Sequence, residues 1–146
     1  MRTFEGVRVI DFTQVIAGPF ATYQLALMGA DVVKIEQPGI GDQGRQMYLL
    51  DDKLQAAKYS AIYLSANAGK RSITLDLKHP DAREVIHRLV KDADVVVENF
   101  KAGAMDRMGY GWDDLRAINP KLIYCAVTGF GQTGPRSQSA AYDPTV

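Results

Sequence analysis

With 146 residues, 47% of them hydrophobic and 23% charged, the chain has room for one domain with a sizeable core. Its 17 basic residues balance 17 acidic ones, so no overall field draws it to nucleic acid or to an anionic membrane surface. A single cysteine, Cys125, excludes an internal disulfide, and no apolar run approaches the length of a membrane span. The opening Met1-Arg-Thr-Phe-Glu5 carries no signal segment, which makes the cytoplasm the expected compartment, with an organelle matrix as the alternative.

The first β-rich run, Val7–Phe12, passes through Gln14-Val-Ile-Ala-Gly-Pro19 into a helix-compatible stretch, Phe20–Met28. Gly29 stops that stretch, and a second run, Asp31–Ile35, follows. A parallel pair needs a crossover of this length, so residues 7–36 predict one β-α-β unit. Its first turn then faces the crevice outside the carboxyl ends of the strands, where open α/β sheets take their ligands. The next segment is different. Pro38-Gly-Ile-Gly-Asp42 is a glycine-rich loop, Gln43 to Ala57 is polar without a sustained period, and Tyr59–Ala66 suits a short helix. A crossover this long points to a ligand site or another subunit.

Ser72–Leu77 reads as the third strand. A helix follows, with Pro80 in its first turn, Asp81 and Glu84 near its positive end, and an inward stripe of Ala82, Val85, Ile86, Leu89 and Val90. Asp94–Glu98 is the fourth strand; Trp112–Ile118 is a shorter helix stopped by Asn119-Pro120; Leu122–Val127 is the fifth strand. Valine and isoleucine dominate these runs with little alternation, the pattern of strands covered on both faces. The alternation of elements predicts an α/β fold with a largely parallel sheet. Residues 129–139 form a polar loop, and Ala140-Ala-Tyr-Asp-Pro-Thr-Val146 starts something new, so the chain reads as the amino-terminal part of a longer domain.

The chemistry is sparse. A dinucleotide site asks for three spaced glycines in the first turn and an acid after the second strand. Glu36 stands where the acid would be, but Gly18 is the only glycine in that turn, which argues against a nicotinamide cofactor. Lys34, Lys70, Arg71, Lys78, Arg107 and Arg136 sit near strand ends. Each is ordinarily a solvated charge, and Lys70, Arg71 and Lys78 flank the third strand where an anion would sit. His79 and His87 have no partner at metal-ligand spacing. Cys125, within an apolar strand, reads as buried. Asp11 and Glu98 end strands, where a carboxylate that holds loop amides is as good a reading as a general base. No complete catalytic constellation is present.

Taken in order, six motifs resemble the class III CoA-transferase family, also called CaiB/BaiF. They are Val9-Ile-Asp-Phe-Thr13 with Ala17-Gly-Pro19; Leu27-Met-Gly-Ala-Asp-Val-Val-Lys-Ile-Glu36; and Asn67-Ala-Gly-Lys-Arg-Ser-Ile-Thr-Leu-Asp-Leu-Lys78. Ala93-Asp-Val-Val-Val-Glu-Asn-Phe100, Ala104-Met-Asp-Arg-Met-Gly109, and Asn119-Pro120 before Tyr124-Cys-Ala-Val-Thr-Gly-Phe-Gly131 complete the set. The resemblance implies a Rossmann-like large domain, a smaller second domain, and an interlocked homodimer. Coenzyme A and acyl-CoA would be substrates alongside carboxylic acids, with no tightly bound cofactor. By position, contacts to coenzyme A fall on Ile16, Ala17, Gln37, Leu75 to Lys78, Asn99, Phe100, Lys101, Arg107, and Ala140 to Asp143, including Tyr142. Some relatives carry arginine where Gln37 stands, so that phosphate contact is lost here or moves to Lys34 or Arg45. The nucleophilic aspartate is expected beyond Val146, leaving no catalytic residue within these 146 and no activity in them alone.

The same family includes α-methylacyl-CoA racemases, which place a histidine before the aspartate matching Asp143. Tyr142 stands there, and a phenol with a pKa of about 10 is a poor base near neutrality, which favours a transferase. A racemase or epimerase is the alternative of the same family. A non-catalytic protein that binds coenzyme A, or pairs with a longer subunit, is the alternative of another class.

Overall fold

The computed structural model describes residues 2–47, 51–57 and 59–141. Among the described residues five strands form one parallel sheet in the order β3-β2-β1-β4-β5. They are β1 (Arg8–Asp11), β2 (Asp31–Glu36), β3 (Arg71–Thr74), β4 (Val95–Glu98) and β5 (Ile123–Ala126). Each lies within the expected run or within three residues of its ends. The helices are α1 (Ala17–Leu27), α2 (Asp52–Ala56), α3 (Ala61–Asn67), α4 (Ala82–Lys91), α5 (Ala104–Met108) and α6 (Trp112–Ile118). The α/β fold with a Rossmann-like strand order is the one the sequence predicts. α1 starts three residues before the expected Phe20, because Pro19 falls within the first turn, where a missing N–H leaves no intrahelical bond unmade.

Alternate residues of the central strands feed two separate cores, as a two-residue period requires. Ile10, Val33, Ile35 and Val96 face α4, α5 and α6, meeting Ile86, Val90, Met105 and Leu115. Val9, Val32 and Val97 face the other way, toward Leu25 and Ala26 of α1. Two expectations fail at the edges. β5 has no neighbour beyond it among the described residues, so Ile123 is 62% exposed and Cys125 is exposed rather than buried. On α4, Ala82, Ile86 and Val90 are buried and Val85 is not, because a ten-residue helix lying on a sheet seals a narrower stripe than the five residues expected.

The chain runs from β1 to β2 and β3 on one side, then crosses back to β4 on the other side of β1. The strand order therefore reverses between β1 and β4, and open α/β sheets take their ligands at the carboxyl ends of the strands beside such a switch point.

Candidate ligand site at the strand ends

A cleft of about 370 Å³ opens along the carboxyl ends of β2, β3 and β4. Its walls come from Ile35, Leu75, Leu77, Phe100 and Met108, and its polar lining from Gln14, Glu36, Gln37, Asp76 and Lys78. Apolar walls with a few polar groups at one side are the usual form of a small-molecule site. The Lys78 amide donates to the Asp76 carboxylate at 3.0 Å, which turns the chain and sets its exposed side chain on the rim. Among the described residues no carboxylate pairs with the Lys78 ammonium.

Six sequence candidates, Gln37, Leu75, Asp76, Leu77, Lys78 and Phe100, line this one cleft. Asn99 lies just outside it and fastens it: its Oδ1 accepts from the Gln14 amide at 2.8 Å, and its Nδ2 donates to the Gln14 carbonyl at 2.9 Å. Ile16 and Ala17 are exposed at the start of α1, and Lys101, Arg107 and Ala140 are exposed elsewhere on the surface, none of them lining the cleft. Tyr142 and Asp143 lie outside the described residues. Gln14, Ile35, Glu36 and Met108 are additional lining residues. Met108 comes from α5, a five-residue helix set between Gly103 (φ 72°) and Gly109 (φ 78°), too short to show a period in sequence.

Behind the cleft lies a second feature, a buried network of charges. Lys34 is 1% exposed. Its Nζ donates to the Thr13 carbonyl at 2.6 Å and lies 2.7 Å from Asp42 Oδ2. Lys70 Nζ sits 2.9 Å from Asp11 Oδ2 and also donates to the Pro19 carbonyl and to Asn67 Oδ1. Asp11 further accepts from the Thr13 amide and from the hydroxyls of Thr13 and Thr22. Burial pushes the Asp11 carboxyl up, but Lys34, Lys70 and the two hydroxyls outweigh it and hold it below the usual range. Burial also draws Lys70 down to about 8, against the pull of Asp11.

Glu36 is equally committed. It accepts from Arg45 Nε at 2.7 Å and Arg45 Nη2 at 2.8 Å, from Ser72 Oγ at 2.6 Å, and from the Asp42 amide at 2.8 Å. Burial raises it, and these donors together bring it down to about 2. The guanidinium of Arg45 stacks 3.7 Å from the centre of the Tyr63 ring. These facts correct one expectation: neither Lys34 nor Arg45 replaces a phosphate contact missing at Gln37, because both are already engaged inside the fold. They also close the nicotinamide reading, since a Glu36 that holds five donors, the Tyr63 hydroxyl at 3.2 Å among them, has no free oxygen lone pair placed for a ribose.

Glu98, at the end of β4, accepts from the Phe100 amide at 2.8 Å and thereby shapes the loop that carries Phe100 into the cleft. Burial pushes its carboxyl up. Asp11 and Glu98 thus both hold loop amides.

The turn after β1 is the strained part of the site. Val15 has φ 71° and is the one non-glycine residue at positive φ among those described. A β-branched residue there costs about 1–3 kcal/mol and persists where its surroundings over-determine it. Its amide donates to Asp42 Oδ1 at 3.0 Å. Gly18 permits the close packing beneath: a Cβ there would stand 2.4 Å from Thr13 Cβ.

The sequence matches the model of CoA-transferase family III over residues 4–146. The succinate–glutarate CoA-transferase of Agrobacterium fabrum is 48% identical over 143 residues, which is 94% of this chain and 35% of that protein. A formyl-CoA:oxalate CoA-transferase of Bradyrhizobium sp. is 44% identical over 142 residues, 97% of this chain and 32% of its own length. The crystal structure of a CaiB/BaiF family protein from Brucella suis superposes with a TM-score of 0.87 at 40% identity, covering 99% of this chain and 38% of that one. The chain spans about a third of the length of the curated relatives it matches.

Proposed function

Because the chain belongs to CoA-transferase family III, we propose that the whole protein moves coenzyme A between carboxylic acids and that these residues build the nucleotide half of its coenzyme A site. The observation that carries this reading is the cleft at the strand ends. Its apolar walls at Leu75, Leu77, Phe100 and Met108 suit the faces of an adenine ring, and Lys78 stands at its rim for a phosphate. Gln37 and Asp76 offer polar partners to a ribose or to the base edge. Ile16, Ala17, Asn99, Lys101, Arg107, Ala140, Tyr142 and Asp143 remain proposed contacts along the rest of the coenzyme.

In this reading the covalent step uses an aspartate from beyond residue 146. Its carboxylate attacks the thioester carbonyl, the C–S bond breaks, and coenzyme A leaves as thiolate from a mixed anhydride. The thiolate then takes the aspartyl carbonyl, which releases the donor acid and leaves an enzyme thioester; an acceptor carboxylate runs the sequence in reverse. Dividing one difficult transfer into such steps is what nucleophilic catalysis supplies. The described residues bind and orient. Dicarboxylic acids are the proposed acceptors, as the names of both relatives suggest. The whole protein is proposed to act in the cytoplasm as an interlocked homodimer with a second domain; among the described residues no helix is long and apolar enough to cross a membrane. Phe20 (52% exposed) and Leu27 (55% exposed) on α1 are apolar surface that such an assembly would cover.

The test is to incubate the whole protein with succinyl-CoA and glutarate, and with formyl-CoA and oxalate, and to follow the new thioester by mass. Transfer in either mixture is expected. No transfer in both, together with no binding of coenzyme A by calorimetry, overturns the reading.

A further inference from the structure

The loop that begins the crevice, Thr13–Ile16, is fastened from three sides. Asn99 holds Gln14 at both its amide and its carbonyl. Lys34 holds the Thr13 carbonyl at 2.6 Å. Asp42, from the loop after β2, holds the Val15 amide at 3.0 Å and the Gly44 amide at 2.7 Å through Oδ1, while its Oδ2 lies 2.7 Å from the Lys34 ammonium. Asp42 and Lys34 are each essentially sealed from solvent, at 0% and 1% side-chain exposure. Packing completes the clamp, since a Cβ at Gly44 would meet the Val15 carbonyl at 3.3 Å.

This is more restraint than a turn needs, and it converges on the one non-glycine residue held in the left-handed region among those described, Val15. A valine left alone would relax to negative φ and carry the following peptide round with it. Ile16 and Ala17 come directly after it, and Gln14, just before it, lines the cleft. We infer that the buried Lys34–Asp42 pair is a positioning device: it imposes the left-handed turn at Val15 and so fixes how Gln14, Ile16 and Ala17 are presented to the ligand. The pair touches no ligand itself. The inference rests on the coenzyme A reading of the site.

A double-mutant cycle on the whole protein tests it, read by calorimetric binding of coenzyme A, by steady-state kinetics and by thermal unfolding. In Asp42→Asn the new amide group faces the Lys34 ammonium with a donor, so the side chain turns away and frees the Val15 N–H. Binding of coenzyme A should weaken by about tenfold, with KM for acyl-CoA rising and kcat nearly held. In a Val15→Gly background, where glycine accepts positive φ without strain, the same substitution should cost much less affinity. Equal losses in the two backgrounds, or a fall in Tm with unchanged KM and affinity, would overturn the inference. If Asp42→Asn does not fold, Val15→Pro replaces it, since proline forbids the left-handed angle and removes the amide that Asp42 holds. Val15→Pro should then bind about tenfold more weakly than Val15→Gly, and equal affinity in those two proteins would overturn the inference as well. Failure of the unsubstituted protein to bind coenzyme A would instead refute the proposed function.

Discussion

Two sets of cations stand at different depths of the same crevice. Lys34 and Lys70 lie behind it, with 1% and 2% of their side chains exposed, each beside a carboxylate that is itself buried. Lys78 lies on its rim, and Lys101 and Arg107 lie in the loop and short helix after β4; all three are exposed, and no carboxylate among the described residues pairs with them. In sequence all five are basic residues at strand ends or in the loops and short helix that follow, and nothing in their spacing separates them. Depth does. A buried ammonium must be paired on folding, so it is consumed by the protein's own carboxylates. A rim ammonium keeps its charge for something that arrives later.

The largest effect should come from breaking the deep set. Asp11→Ala would leave Lys34 and Lys70 without their shared carboxylate and free the hydroxyls of Thr13 and Thr22. Removing one partner of a buried pair costs about 3–5 kcal/mol. Urea unfolding of the whole protein is the measurement, and a loss under about 1 kcal/mol would mean that these charges are not as sealed as the geometry says.

Acid sharpens the same contrast. Glu36 titrates at about 2 in the fold, against an ordinary value of 4.5. The folded state therefore binds this proton less readily than the unfolded chain. The stability so gained is complete above about pH 4.5 and is lost as pH falls toward 2. Its size is on the order of 3 kcal/mol. Glu36→Gln should flatten the acid limb of a stability profile between those values, and an unaltered limb would contradict the assignment.

On the rim the expected loss is in binding and not in folding. Lys78→Ala should weaken coenzyme A by about ten- to a hundredfold, most at low salt, with Tm unchanged. Arg107→Ala should do less, because Arg107 does not line the cleft. Isothermal calorimetry at two salt concentrations decides it. A larger effect at Arg107 than at Lys78 would move the phosphate away from β3.

The contrast also explains what the sequence could tell. Val- and Ile-rich runs parted by glycine and proline made every strand legible, and Trp112–Ile118 was legible to the residue, because Asn119-Pro120 blocks its extension. Gln37, Leu75, Lys78 and Phe100 were candidates through the family resemblance, and they meet in one cleft because loops after parallel strands face one crevice. The deep network was not. Lysine and aspartate are so seldom buried that Lys34 and Asp42 read as surface, and their pairing depends on a loop after β2 folding back over the turn after β1. The edges misled in the opposite sense: an apolar run such as residues 122–127 looks the same whether or not a neighbour covers it, so the exposure of Cys125 had no signal in the sequence.

The smallest effect should come from an ion pair that has the chemistry of the deep set and the setting of the rim. Arg71 grips Asp31 with two hydrogen bonds, Nε to Oδ1 at 2.9 Å and Nη2 to Oδ2 at 2.5 Å, joining the start of β3 to the start of β2. Its geometry is as good as that of Arg45 with Glu36. Yet the side chains of Arg71 and Asp31 remain 65% and 45% exposed. Water already solvates both charges there, so pairing them replaces good hydration with a contact of similar worth and immobilises two side chains. Arg71→Ala should cost no more than about 1 kcal/mol, and that cost should shrink as salt rises past about 0.15 M. Unfolding of the Arg71→Ala and Asp31→Ala proteins and of their double variant isolates the pair. A coupling as large as that found for a deep pair would mean that burial is not what separates the two sets, and the reading of the rim lysines as free for a ligand would lose its physical ground.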